Sequence, residues 1–208
     1  MTEHLIHLPN EQILTLLARP KAAKSVVTAF PTLTELAQAS YDKILQLESV
    51  GPVRADAIAA GLELGRRVSK EVLGPNPIMD CPEKISQFLR EDVRPYRTEA
   101  FKVILLNTRR ALIRVVDLAS GTLATLLVHP REVFRAAIES NAASIVLVHN
   151  HPSGDPTPSE ADIKVTRDLI RAGHLLKIEV VDHVILGTAT TERPKDYSSL
   201  RELGYFCA

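Results

Sequence analysis

The sequence predicts an α/β (α+β) architecture, a mixed β-sheet flanked by helices and preceded by a small all-α domain. Three observations carry this. From residue 11 to 67 apolar residues recur at spacings of three and four, the period of a helix, and nothing alternates as a strand would. Past residue 95 short β-branched runs take over, interrupted by two helical patterns. Between these regions SKEVLGPNPIMDCP holds three prolines and a glycine, residues that end helices. The joint is therefore expected near residues 70 to 80, with a helical domain over 1–75 and a sheet domain over 81–208.

In chain order, EQILTLLA, KSVVTAF, LTELAQA, YDKILQL and PVRADAIAAGLELGRRV are expected helices. PEKISQFLRE adds another helix after the joint. FKVILLN and LIRVVDL follow as strands of a hairpin, because LNTRRALIRV places turn-forming residues between two strand-like runs. TLLVH, SIVLVH and IEVVDHVILG are the remaining expected strands. REVFRAAIESNA and SEADIKVTRDLIRAG are the helices between them.

Composition removes several functional classes. Of 208 residues 45% are hydrophobic, yet no apolar run approaches the roughly 18 residues of a membrane span, so no membrane partner is expected. The opening MTEHLIHLPNEQ lacks a basic region ahead of an apolar one, and a cytoplasmic setting is expected. Cys81 and Cys207 lie far apart and outside any CxxC, which fits a reducing compartment and excludes cysteine-ligated zinc. Formal charge is zero, 25 basic against 25 acidic residues, so no global electrostatic argument favours nucleic acid. A local basic patch stays open. Oligomeric state has no signature here.

The chemistry concentrates in HNHPSGDPTPSEAD, residues 149 to 162. SIVLV ends at Val148, so the two histidines sit where a buried strand leaves its sheet. Residues two apart in extended chain share a face, roughly 6.5 to 7 Å apart, and their imidazoles can lean onto one ion. Four turn formers, Pro152, Gly154, Pro156 and Pro158, then reverse the chain, and Ser159 opens a helix with Asp162 in its first turn. A carboxylate there can point back at the strand end. Two imidazoles and one carboxylate leave a fourth zinc position for water, whose pKa falls to about 7 from 15.7 in such sites. A second explanation stands beside this one: Ser159-x-x-Asp162 is also a capping box, and paired histidines can be ordinary surface residues. Cap and ligand are compatible roles.

His-x-His-Pro, six further residues and Ser-x-x-Asp together resemble the JAMM signature of the JAB1/MPN metalloenzymes, a cytidine-deaminase-like fold. The longer text HNHPSGDPTPSEAD resembles the RadC branch, as do VHPREVFRAAIESNAASIVLVHNHPSG, IEVVDHVILG and YSSLRELG, covering roughly residues 95 to 205. The resemblance implies a zinc-dependent metallohydrolase of the metallopeptidase type acting on a peptide or protein substrate, with one Zn²⁺ per chain. It implies His149, His151 and Asp162 as metal ligands, Ser159 as the oxyanion group or a support for a ligand, and a glutamate on an earlier strand to handle the proton. That base should stand on a strand beside the histidines. Glu99, in TEAFKVILLN, matches the family's Glu-x-Phe before an apolar strand. Glu132 and Glu139 are rivals, but Glu132 follows Pro130 in a helical first turn, where the helix dipole alone favours an acid. Where the family commonly has Leu-Asp after this strand, the chain has Leu106-Asn107.

Asp182 and His183 match a further RadC segment, and a buried hydrogen-bonded pair supporting the sheet is expected rather than a fourth ligand. His129 and His174 are expected at helix ends or on the surface, and His4 and His7 near a loose terminus. YDKILQLESVGPVRADAIAAGLELGRR resembles the helix-hairpin-helix that precedes the metal domain in RadC proteins, with Ser49 where the first glycine usually stands. This implies, as an alternative, a DNA-associated, repair-type protein that binds or cleaves DNA, gripping phosphates weakly through residues 42–67, with the zinc site structural or directed at phosphodiesters. Residues 21 to 70 carry seven basic and five acidic side chains, a small surplus for that purpose.

Overall fold

The computed structural model describes residues 8–71, 74–93, 96–121 and 128–206. The chain divides into two compact units, Met1–Val72 and Leu73–Ala208. Unit one comprises α1 (Asn10–Ala18), α2 (Pro20–Ala29), α3 (Leu33–Gln38), α4 (Tyr41–Leu45) and α5 (Pro52–Glu71). Its core gathers Leu14, Val26, Leu36, Ile44 and Ile58 from successive helices, as their spacing requires. Thr32 caps α3 through a reciprocal box with Glu35, and the Ser40 hydroxyl accepts from Lys43 N at the start of α4.

Unit two comprises α6 (Pro82–Val93), β1 (Glu99–Leu106), β2 (Leu112–Gly121), α7 (Pro130–Glu139), β3 (Ser144–Asn150), α8 (Glu160–Leu176), β4 (Glu179–Leu186) and β5 (Tyr197–Ser199). The sheet runs β2-β1-β3-β4-β5, with β3 and β4 parallel and the other pairs antiparallel. Parallel neighbours need a crossover, and α8 supplies it. The hairpin between β1 and β2 is closed by Asn107, whose side-chain oxygen accepts from Arg109 N and Ala111 N, while Arg110 takes a φ of 61°. TLLVH lies largely outside the described residues, and Val128 and His129 lead into α7 without strand structure. β5, an edge strand of three residues within YSSLRELG, is too short to show a period in sequence.

Both faces of the sheet are covered. Phe101, Val103, Leu105, Ile145 and Leu147 pack under Val133 and Phe134 of α7 and Leu169 of α8; Ile104, Leu106, Val146 and Val148 pack on Ile85 and Leu89 of α6. Burial on two sides explains why β3 reads as a continuous apolar run. Among the described residues no helix is long and apolar enough to cross a membrane.

Candidate metal centre

β3 delivers the first two groups. His149 is fully buried within the strand, and His151 emerges just past its end with its side chain 13% exposed. Their Nε2 atoms lie 3.0 Å apart. The loop then reverses at Gly154, whose φ of 81° lies in the left-handed region, and Ser159 caps α8. Asp162 belongs to the buried stripe of α8 with Thr166, Leu169 and Gly173, spaced four, three and four, so its carboxylate faces the sheet rather than solvent. Its Oδ1 lies 3.1 Å from His149 Nε2, and its Oδ2 lies 3.6 Å from His151 Nε2. One ligand atom from each of the three residues falls within 4.8 Å of the others, forming a group that could hold a metal ion.

The hydrogen bonds show what this cluster fits. His151 Nδ1 lies 2.7 Å from the carbonyl oxygen of Asp155. A carbonyl only accepts, so Nδ1 carries the proton and Nε2 turns a lone pair inward. Asp162 Oδ1 is buried and has no hydrogen-bond partner among the described residues. Acceptors converging on one point need a positive charge among them, and two imidazoles with a carboxylate are a donor set that suits a divalent metal ion. Burial pushes the Asp162 carboxyl up, but the His149 and His151 side chains beside it and the Ser159 hydroxyl outweigh it and hold the group well below the usual carboxylate range. Burial pushes His149 down, against the opposing pull of Asp162. For His151 burial also acts downward, yet Asp162 and the Asp155 carbonyl prevail and raise it. A proton on His151 and a metal cation answer the same electrostatic demand.

The capping box and the ligand role coexist in Asp162. Ser159 N and Ser159 Oγ both donate to Oδ2 at 2.7 Å, and Asp162 N donates back to Ser159 Oγ at 3.2 Å. Ser159 is exposed, and its hydroxyl orients the carboxylate whose other oxygen faces the imidazoles.

Glu99 opens β1, half-buried. Phe101 pairs with His149 across the antiparallel β1–β3 ladder, and continuing that register two residues sets Glu99 opposite His151. Both imidazoles sense its negative charge. Asn150, between the two histidines, extends the pairing: its Oδ1 accepts from Ala100 N at 2.8 Å and its Nδ2 donates to Thr98 O at 3.3 Å, bracketing Glu99. Glu132 instead pairs with Arg135 at 2.8 Å and Arg131 at 3.3 Å on α7, and Glu139 is exposed at the end of that helix. His129 caps α7 by accepting from Arg131 N, and His174 is exposed in the last turn of α8. His4 and His7 lie outside the described residues.

Asp182 and His183 form the hydrogen-bonded pair in the sheet that the sequence leads one to expect, Asp182 Oδ1 accepting from His183 N at 2.7 Å, and His183 also reaches the cluster, a contact with no sequence assignment. His183, fully buried on β4, places Nε2 2.8 Å from His149 Nδ1, and Phe101 stacks on the His149 ring. Asp182 accepts from the Ser199 hydroxyl at 2.7 Å and from Arg201 N at 3.2 Å, tying β4 to the C-terminal turn. Arg193 donates to the carbonyls of Gly154 and Thr188 and to the Asp155 carboxylate, fastening the metal loop from outside. A buried polar residue inside an apolar strand, as in VVDHVIL, is the one sequence signal for Asp182 and His183. Nothing local marks the role of Arg193, because its partners in the loop, Gly154 and Asp155, lie 39 and 38 residues away.

Gly187 gives this loop a sharp steric test. A Cβ there would stand 2.5 Å from Gly154 O and 2.8 Å from Pro156 Cδ. Gly187→Ala is expected to displace residues 154–156, and with them the carbonyl that orients His151. Metal affinity should fall on the order of tenfold, the lower end of what lost ligand support costs. Chelator competition reads this directly.

A mixed sheet with a crossover helix and a His-x-His, Asp cluster that could hold a metal at the carboxyl end of a parallel strand defines a JAB-type domain. The chain belongs to the RadC-like JAB domain family, whose model matches residues 79–205. It is 41% identical over 184 residues to UPF0758 protein TTE0897 of Caldanaerobacter subterraneus, covering 88% of this chain and 76% of that protein. It is 37% identical over 207 residues to UPF0758 protein ABC2615 of Shouchella clausii, covering 96% of this chain and 87% of the relative. A UPF0758 protein of Desulforamulus reducens is 44% identical over 165 residues, 79% of this chain and 73% of that one.

Proposed function

We propose that this protein is a cytoplasmic zinc-dependent metallohydrolase of the JAMM metallopeptidase type, holding one zinc per chain and hydrolysing a peptide or isopeptide-like amide. The observation that carries this is the convergence of His149 Nε2, His151 Nε2 and Asp162 Oδ1, which has no hydrogen-bond partner among the described residues, beside a strand that carries an acid. Held by His149, His151 and Asp162, a zinc ion would supply Lewis acidity able to polarise a carbonyl and to bring the pKa of water to about 7 from about 15.7. Glu99 takes the proton of the attacking water and returns it to the departing amine. Ser159, exposed at the rim, exchanges its bond to Asp162 for one to the carbonyl oxygen as charge develops there. His151 stands on the open side of the cluster and His149 and Asp162 on the closed side, so substrate approaches past His151.

The test combines zinc stoichiometry with a screen of linear and lysine-branched peptides. Cleavage that stops on chelation and returns with about one equivalent of zinc is expected. Cleavage that persists in metal-free protein overturns the reading.

A second reading concerns the N-terminal unit and rests on one backbone feature. Ser49 adopts a φ of 63°, the left-handed turn that glycine usually fills in a helix-hairpin-helix, ahead of Gly51 and Pro52 at the start of α5. Arg54 Nη1 donates to Ser49 O and steadies that turn. In this reading residues 42–67 grip a DNA backbone without reading sequence, with affinity falling as salt rises. Absence of duplex binding by the whole protein at low salt rejects it.

A further inference from the structure

We propose that Thr166 and His183 are positioning residues that lock His149 in the tautomer presenting its Nε2 lone pair to the metal. This deepens the metal-centre reading and rests on it for the role of His149. A chain of hydrogen bonds fixes the position of each proton.

It begins at a carbonyl. Thr166 Oγ1 lies 2.5 Å from Asp162 O, one helical turn earlier on α8. The carbonyl can only accept, and two oxygens at that separation need a proton between them, so the one hydroxyl proton of Thr166 is committed there. Thr166 Oγ1 also lies 2.6 Å from His183 Nδ1. With its proton spent, the hydroxyl accepts, and His183 Nδ1 must be the N–H. His183 is fully buried, meets the edge of the Phe101 ring, and has Thr166 and His149 against its ring nitrogens instead of a carboxylate, so it is neutral with one proton. Its Nε2 therefore carries a lone pair and accepts from His149 Nδ1 at 2.8 Å. His149 in turn keeps no proton on Nε2, the atom 3.1 Å from Asp162 Oδ1.

The chain starts and ends at the same residue. Asp162 offers its carbonyl to Thr166 and its carboxylate to the metal, so the helix turn that aims one ligand also fixes the protonation of another. His151 reaches the same state by a separate route, through the Asp155 carbonyl. Both imidazoles then face the centre with lone pairs, and neither must exchange tautomers when metal arrives.

Two readouts on the full-length chain test this. In zinc-free, ¹⁵N-labelled protein at mildly alkaline pH, long-range proton–nitrogen correlation should find His149 and His183 both protonated at Nδ1. This measurement needs no metal, so it stands even if the metal-centre reading fails. A proton on His149 Nε2 overturns the lock. Thr166→Val, which keeps the shape and removes the hydroxyl, should show mixed His149 tautomers and lose about 10- to 100-fold in zinc affinity, the usual cost of losing an outer partner. Thr166→Ser should restore both within about threefold, a small part of that range. A role in packing alone would shift melting temperature and leave the tautomer unchanged. Wild-type-like zinc affinity in Thr166→Val overturns the proposal, whereas failure of the wild type to take up zinc overturns the metal-centre reading instead.

Discussion

His149→Ala, His151→Ala and Asp162→Ala are each expected to lower zinc affinity by more than about a hundredfold, because losing a ligand must exceed the 10- to 100-fold cost of losing a ligand's support. The three differ in side effects. His151 is partly exposed and hydrogen-bonded on one side to a loop carbonyl, so its removal should leave the melting temperature nearly unchanged. Removing His149 opens a cavity beside Phe101 and strands the buried His183 Nε2, a loss of about 1–3 kcal/mol. Asp162→Ala also takes away half of the α8 capping box, worth about 1 kcal/mol. Asp162→Asn keeps an oxygen for Ser159 N while removing the charge, and should separate loss of metal from loss of the cap. Metal analysis and chelator competition check the set. Stoichiometric zinc in all of them would remove the centre.

Glu99→Gln should leave zinc bound and lower amide hydrolysis by about 10²- to 10⁴-fold, the usual worth of a positioned proton carrier. Glutamine retains the shape and length of glutamate, and Asn150 still holds the flanking residues 98 and 100, so the strand itself has no reason to move. What disappears is a group able to take a proton from water opposite His151. Loss of zinc together with activity would make Glu99 a ligand. Unchanged turnover with zinc retained would move the base elsewhere. The discriminating measurement is kcat alongside metal content on the same preparation.

The helical period of residues 11 to 67 and the change to β-branched runs near residue 100 were legible because each is a local consequence of which face is buried. HNHPSGDPTPSEAD was legible for a similar reason: strand end, turn formers and helix cap lie within 14 consecutive residues, so chain connectivity alone brings the ligand-bearing elements together. β5 escaped because three residues show no period. Asn150 escaped because its partners, Thr98 and Ala100, lie about 50 residues upstream.

By itself, then, the sequence determined the kinds of element, the ligand-bearing loop and the family pattern, all set by short-range sterics and by apolar spacing. Only the tertiary structure decided which groups meet the ring nitrogens of His149 and His151. Those outcomes depend on β1 and β4 flanking β3, on Phe101 packed over His149, and on Thr166 meeting a histidine 17 residues later. A hydrogen bond between distant residues needs both partners held to within fractions of an ångström. That precision comes from the packed core and leaves no periodic trace along the chain.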